Sequence, residues 1–146
     1  METSAAKAFF RSTLAGSSAL TTALGGTAIY ADVIPQGTAS TSGSVLSKAI
    51  VYSVQSGDVE GNGNGAAIAG VPIMLVKCVT QGNDVATGDA IMEIVKPLLE
   101  SKQGTVTGYY IKGCSRVGAV DYTEFEGGII WRHLGALYRV AVVGTA

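Results

Sequence analysis

The sequence predicts an α+β domain, with a mainly antiparallel β-sheet and two helices packed on one face. Three observations support this prediction. The hydrophobic periodicity along the chain gives the order helix, three strands, helix, two strands. The composition is 47% hydrophobic and 14% charged over 146 residues, which suffices to bury a core. No internal repeat divides the chain, so we expect one domain over residues 1–146.

The first helix is predicted after Ser4, which has the side chain of a helix cap. Apolar residues then recur at three- and four-residue steps and form one buried stripe, comprising Ala6, Phe9, Phe10, Thr13 and Leu14. Gly16 ends this helix, and a short helical turn follows that Gly25 and Gly26 terminate.

The second helix is predicted from Asp84 to about Ser101, with Asn83 or Asp84 as its cap. Its buried stripe consists of Ile91, Ile94, Val95, Leu98 and Leu99. Pro97 lies within this pattern, so we expect a kink or a break late in the helix.

Five stretches have the composition or alternation of β-strands. In chain order they are "TAIYADVI", "KAIVYSVQ", "VPIMLVKCV", "TVTGYYIKGCSRVGAV" and "GGIIWRHLGALYRVAVV". The third is apolar on both faces, as is typical of a central strand. The last is predicted to be the longest.

A glycine-rich stretch, "GDVEGNGNGAAIAG" at residues 57–70, separates the second and third predicted strands. A glycine loop that binds phosphate leads into a helix, whose first amides point at the anion. Here Pro72 and an apolar, β-branched run follow instead, which favours a strand. We therefore expect the tip of a hairpin, with a nucleotide-binding loop as the alternative.

The composition and the isolated reactive residues argue against several classes of function. The net charge of −1 and the absence of a basic run argue against a protein whose main function is to bind the nucleic-acid backbone. Cys78 and Cys114 lie in apolar strands and are expected to be free and buried. His133 has no companion at metal-ligand spacing, which argues against a metal site. We predict no cofactor and no catalytic residues.

The acidic residues Asp121, Glu124 and Glu126 are expected in a solvated polar turn. The N-terminal stretch is too polar for a convincing signal peptide. The longest apolar run, residues 66–76, is too short to span a membrane, so we expect a soluble protein that is intracellular when made.

The last strand presents two different faces. One face suits the core and consists of Ile130, Leu134, Ala136, Tyr138, Val140 and Val142. The other carries Ile129 together with four candidate subunit-interface residues, Trp131, His133, Leu137 and Arg139. Tryptophan and arginine beside aliphatic residues are typical of interfaces. The alternative is that a loop folds over this face.

The order of these motifs resembles the small tail-terminator, or tail-completion, proteins of tailed bacteriophages. The stretches that carry the resemblance are "TAIYADVIPQG", "AIVYSVQSGDVEG", "TQGNDVATGDAIMEIVKPLLES" and "WRHLGALYRVAVV". It extends from about Phe9 to Val143 and rests on order and spacing.

The resemblance implies a structural virion protein without catalytic residues. Its members form a six-fold ring that caps the tail tube and joins it to the head-side connector or stopper protein. Genomic DNA passes through the lumen without being read, and no membrane is involved. Candidate loop-contact or lumen residues are Asp58, Glu60, Asn62 and Asn64. The alternatives are another neck ring, such as a stopper or adaptor, or a small-ligand or nucleotide-binding module that uses the 57–70 loop.

Overall fold

The computed structural model describes residues 2–34, 48–57, 59–61, 67–82 and 84–144. The helices are α1 (Glu2–Ala15), α2 (Ser18–Leu24) and α3 (Val85–Leu99). The strands are β1 (Ile29–Ala31), β2 (Lys48–Ser56), β3 (Val59–Gly61), β4 (Ala67–Gly70), β5 (Ile73–Gln81), β6 (Gly104–Val106), β7 (Tyr109–Glu126) and β8 (Ile129–Gly144). The α+β class predicted from the sequence is confirmed.

The strands form one sheet that is antiparallel except at one edge, where β1 runs parallel to β2. From β1 the order continues through β2 and β5 to β8. The far side of β8 pairs along its length with β7, and β7 in turn pairs with β6 over Tyr109–Ile111. The strands β7 and β8 are joined by a tight turn in which Gly127 and Gly128 have φ values of 61° and 77°, which glycine adopts without strain.

The helices cover one face of this sheet and the core lies between them. Phe10 of α1 is fully buried and meets the ring of Tyr138 edge-on, with centroids 6.3 Å apart. From α3, the buried residues Ile91, Val95 and Leu99 point into the same cluster. This places the predicted apolar stripes of both long helices in the core. Pro97 lies in the last turn of α3, where its missing N–H removes one hydrogen bond, and the helix continues to Leu99.

The glycine-rich stretch at residues 57–70 lies between β2 and β5 and contains two short strands of its own that were not predicted. Within it, β3 pairs in antiparallel register with β4, so that Val59 lies opposite Gly70 and Glu60 opposite Ala69. After it comes β5, with no helix at the position that a phosphate-binding loop requires. The hairpin interpretation therefore agrees with the strand pairing, while Asp58, Asn62 and Asn64 lie outside the described residues.

The helical turn predicted after Gly16 is a seven-residue helix, α2, which the Ser17 hydroxyl caps and Gly25, with φ 76°, ends as predicted. Two other predictions about the elements were wrong. The first helix begins at Glu2, before Ser4. The longest strand is β7, with 18 residues against 16 in β8, because β7 continues through Asp121–Glu126, where a polar turn was expected.

Candidate functional site

The face of the sheet opposite the helices carries a groove of 480 Å³ near the turn between β7 and β8. We call it the tip groove. Its lining residues are Asp32, Val33, Ile34, Val51, Lys77, Val79, Glu124, Glu126, Gly127, Ile129, Trp131 and His133. Its walls are mostly apolar, and carboxylates stand at its rim. Strand pairing builds it, since side chains on β2, β5, β8 and β7 that face away from the helices come together here.

Four polar side chains meet beside this groove. His133 pairs with Tyr122 across the β7–β8 ladder, and their rings stack with centroids 4.4 Å apart. The ammonium of Lys77 donates a 2.7 Å hydrogen bond to the Tyr122 hydroxyl. It also lies 5.3 Å from the centroid of the Tyr122 ring. The Nε2 atom of His133 is 3.1 Å from a Glu124 carboxylate oxygen.

The chemistry of His133 is that of a buried, neutral imidazole. Its side chain is only 8% exposed, whereas that of Glu124 is 54% exposed. Burial, and then the positive charge of Lys77, lower the pKa of His133 below its ordinary 6.5, while Glu124 acts in the opposite direction. Since both ring nitrogens are shielded, the histidine is poorly placed to exchange protons with a substrate.

The described lining of the groove gives His133 no nucleophile. Among the described lining residues there is no serine, threonine or cysteine that His133 could activate. Among the described residues no group of three or more His, Cys, Asp or Glu side chains is placed to hold a metal ion. Burial raises the pKa of the Cys78 and Cys114 thiols to about 12, as expected for inert core cysteines. Both thiols are free, in agreement with the sequence prediction.

A second unusual feature is the exposure of β7. From Ser115 to Glu126 every residue is exposed, apart from the half-buried Gly118 and Val120. Beyond Ile111, no other described strand pairs with the outer edge of β7. This part of the strand is therefore open on both faces and along one edge, which is a common starting point for association with another chain.

Charge is distributed unevenly along the β7–β8 hairpin. At the end far from the turn lie Lys112 and Arg139, which we call the cationic root, whereas Arg116 lies opposite Tyr138 on the helix-facing side. Lys112 and Arg139 line a shallow depression of 360 Å³. At the turn lie the carboxylates Glu124 and Glu126 of the tip groove. The hairpin thus has a basic end and an acidic end.

The predicted interface residues occupy one face but not one site. Trp131 and His133 line the tip groove, whereas Leu137 and Arg139 lie farther along β8 toward the root. Trp131 and Leu137 are half-buried and Arg139 is exposed. His133 is buried, and the ring of Tyr122 stacks on it. Glu60 lies within β3, opposite Ala69.

Ile130 was wrongly predicted to lie in the core. It faces the helix side but is 45% exposed, because it lies past Trp131, which is the last β8 residue paired with β5. The acidic residues were also misplaced. Glu124 contacts His133, and a carboxylate oxygen of Asp121 lies 2.7 Å from the Arg132 guanidinium. The sequence signal that was missed is the cross-strand register, which places both carboxylates diagonally opposite their basic partners in the β7–β8 ladder.

Comparison with known proteins gives a structural match. No protein-family model matches the chain, and no curated protein matches it at a significant level. A solved structure titled as the virion of a native gene transfer agent particle contains a chain that superposes with a TM-score of 0.75. The two sequences are 21% identical, and the alignment covers 98% of each chain. At this identity the match shows that the two chains share a fold from end to end.

No helix among the described residues is long and apolar enough to cross a lipid bilayer.

Proposed function

We propose that this chain is a structural protein of a tailed, phage-like virion, without enzymatic activity. The observation that carries the proposal is the end-to-end match of its fold to a chain from a gene transfer agent virion. The match agrees with the resemblance to tail-terminator proteins that the sequence motifs indicate, because both lines of reasoning lead to the same class of particle.

Within that class we propose the tail terminator, a ring of identical subunits that caps the tail tube beneath the head-side connector. The exposed β7 strand and the tip groove support a role in assembly, because both are surfaces that a second chain can cover. A ring requires head-to-tail contacts, in which one face of a subunit meets a different face of the next. The contacts are repeated around the ring and can each be modest.

The proposed partners are further copies of the chain, the tail tube protein and the head-side connector or stopper. Genomic DNA passes through the lumen without sequence recognition. The net charge of −1 fits a lumen that does not retain DNA, and Asp58 and Glu60 are the proposed acidic lumen residues. The protein would then be made in the host cytoplasm and end up in the virion neck.

The experiment that separates a terminator from another neck ring is removal of the chain. A protein that caps the tube determines where tube growth stops, so particles made without it should show tubes of uncontrolled length. A stopper or adaptor acts on the head side, and its loss should leave tails of normal length that fail to join filled heads. Tails of normal length in electron micrographs of the deletion would therefore contradict the terminator role.

A further inference from the structure

We propose that the tip groove of one copy receives the cationic root of a second copy, so that neighbouring subunits join tip to root. This inference rests on the proposed ring and names the two surfaces that meet within it. Its occupant is a second copy of this chain, and the ligand chemistry is an arginine or lysine side chain.

The lining of the tip groove suits such a side chain. The aliphatic walls, among them Val51, Val79 and Ile129, can contact the methylene stem of an arginine. Trp131 offers an aromatic face to a guanidinium, and Glu124 and Glu126 offer carboxylates at the rim. An apolar floor with an acidic rim is less suited to an anion or to a purely apolar helix.

The charged groups already present in the groove do not repel an added cation strongly. The ammonium of Lys77 is held by the Tyr122 hydroxyl, and burial keeps His133 neutral near pH 7. A carboxylate oxygen of Asp32 lies 2.8 Å from the Lys7 ammonium, so Asp32 is already paired within the molecule. Glu126 makes no ion pair with any described side chain, which leaves its carboxylate available to a neighbour.

The cationic root is the matching surface. Arg139 and Lys112 also make no ion pair with a described residue, and both side chains are exposed. The path along β8 from Ile129 to Arg139 is about 34 Å long, given the rise of an antiparallel strand. One molecule therefore cannot place its own root in its own groove, and the opposite charges can meet only between copies.

The contact is heterologous, because the groove and the root are different surfaces. Repeated in one direction, it leaves one free groove and one free root on every open assembly until the ring closes. Two copies could instead pair about a two-fold axis, so that the groove and the root of each copy are both covered in a dimer. Such a dimer has no free groove or root and cannot grow into a ring. Cross-linking distinguishes the two arrangements.

The test uses engineered cysteines in particles that carry the chain. Glu126→Cys and Arg139→Cys are combined in one chain, and the particles are mildly oxidised. The native Cys78 and Cys114 do not interfere, since they are buried and their pKa is about 12. On a non-reducing gel we expect a ladder of disulfide-linked species that ends at the size of the closed ring. The matched control, Glu93→Cys with Arg139→Cys, moves one thiol to the exposed side of α3 and should give no ladder.

Two results would overturn the inference and leave the proposed function standing. One is a ring that is visible in the particle but does not cross-link between positions 126 and 139. The other is cross-linking that stops at dimers, which indicates two-fold pairing. Particles without any ring of this chain contradict the proposed function itself, and the inference falls with it.

Charge reversal provides a second, independent readout. Arg139→Glu should lower incorporation into particles by about tenfold, because it places a carboxylate opposite Glu126. Adding Glu126→Lys to the same chain should restore incorporation, since the opposite charges are then exchanged. Failure of the second change to rescue the first contradicts a tip-to-root contact.

Discussion

The rings of Tyr122 and His133 lie nearly parallel, inclined by 8°, with their centroids 4.4 Å apart. The two residues are direct partners in the β7–β8 ladder, so strand register alone brings them together. His133 is 6% exposed, on a face of the sheet that none of the described helices covers. Burial lowers the pKa of His133, so we expect its protonation to make the stability of the protein depend on pH.

We expect the free energy of unfolding to fall when the pH drops below about 6.5. The folded protein lowers the pKa of His133 from the ordinary value of 6.5, so the unfolded chain binds a proton more readily. The contribution of His133 is therefore fully present above that pH and is lost as the pH falls through the folded pKa. Thermal melts between about pH 5 and about pH 8 measure this dependence.

The variant His133→Phe isolates this effect, because phenylalanine can keep the stack on Tyr122 but cannot titrate. Its stability should vary less over the same pH range than that of the unchanged protein. An unchanged pH dependence in the variant would assign the effect to other groups.

The Tyr122 side chain should contribute through its ring more than through its hydroxyl. Tyr122→Ala removes the stack on His133 and should cost about 1 kcal/mol of stability. Tyr122→Phe keeps the stack and removes only the exposed hydrogen bond from Lys77, so its cost should be smaller. Chemical denaturation compares the two variants, and equal losses would contradict the importance of stacking.

Trp131→Ala should affect assembly more than folding. Trp131 is half-buried in the tip groove, so the isolated chain should lose less than the 3–5 kcal/mol typical of a large buried side chain. Attachment within the particle should weaken by about 2 kcal/mol, as for an aromatic interface anchor. The control is Phe10→Ala, which empties a fully buried position and should lower the melting temperature strongly. A comparable drop for Trp131→Ala would make it a core residue.

Gly135 should tolerate no side chain. A Cβ atom there would press on the carbonyl oxygen of Val76 and lie 2.7 Å from the Cα of Lys77, so β5 and β8 would be forced apart. We expect Gly135→Ala to cost about 3 kcal/mol. Gly113→Ala is the matched control on β7, because nothing lies within 4 Å of its Cβ position. Similar melting temperatures for the two variants would contradict this close approach.

The glycine-rich hairpin should tolerate shortening. Replacing residues 61–65 by a two-residue Asn-Gly turn should change the stability by less than about 1 kcal/mol, because loop-closure entropy varies slowly with length. Assembly is expected to suffer if the tip meets a neighbour in the ring. Tight nucleotide binding by the unchanged chain that the shortened chain loses would instead support the phosphate-binding alternative.

Much of the fold follows from local patterns in the sequence. The apolar stripes of α1 and α3 are set by helical periodicity, and they pack in the core as predicted. The alternation in β2 and the apolar run of β5 likewise identify adjacent strands of the sheet. The extent of helix α2 was underestimated, because seven residues show little hydrophobic periodicity. Its two caps determine where it begins and ends.

The candidate site was harder to predict, because it depends on register between strands. Trp131, His133 and Arg139 could be placed on one face from alternation along β8 alone. Their partners Lys77 and Tyr122 lie on other strands, and only the pairing of β5 and β7 with β8 brings them near. Ile130 is exposed because β5 ends before it. The position of that end cannot be predicted from the sequence of β8.

The central claim is that this chain forms a ring at the head-proximal end of a tail tube. A cryo-electron microscopy reconstruction of the intact particle, at a resolution that traces the chain, tests it most directly. We expect a closed ring of identical copies around the tail axis, in contact with the last layer of the tube. A single copy, a two-fold dimer, or a position off the tail axis would contradict it.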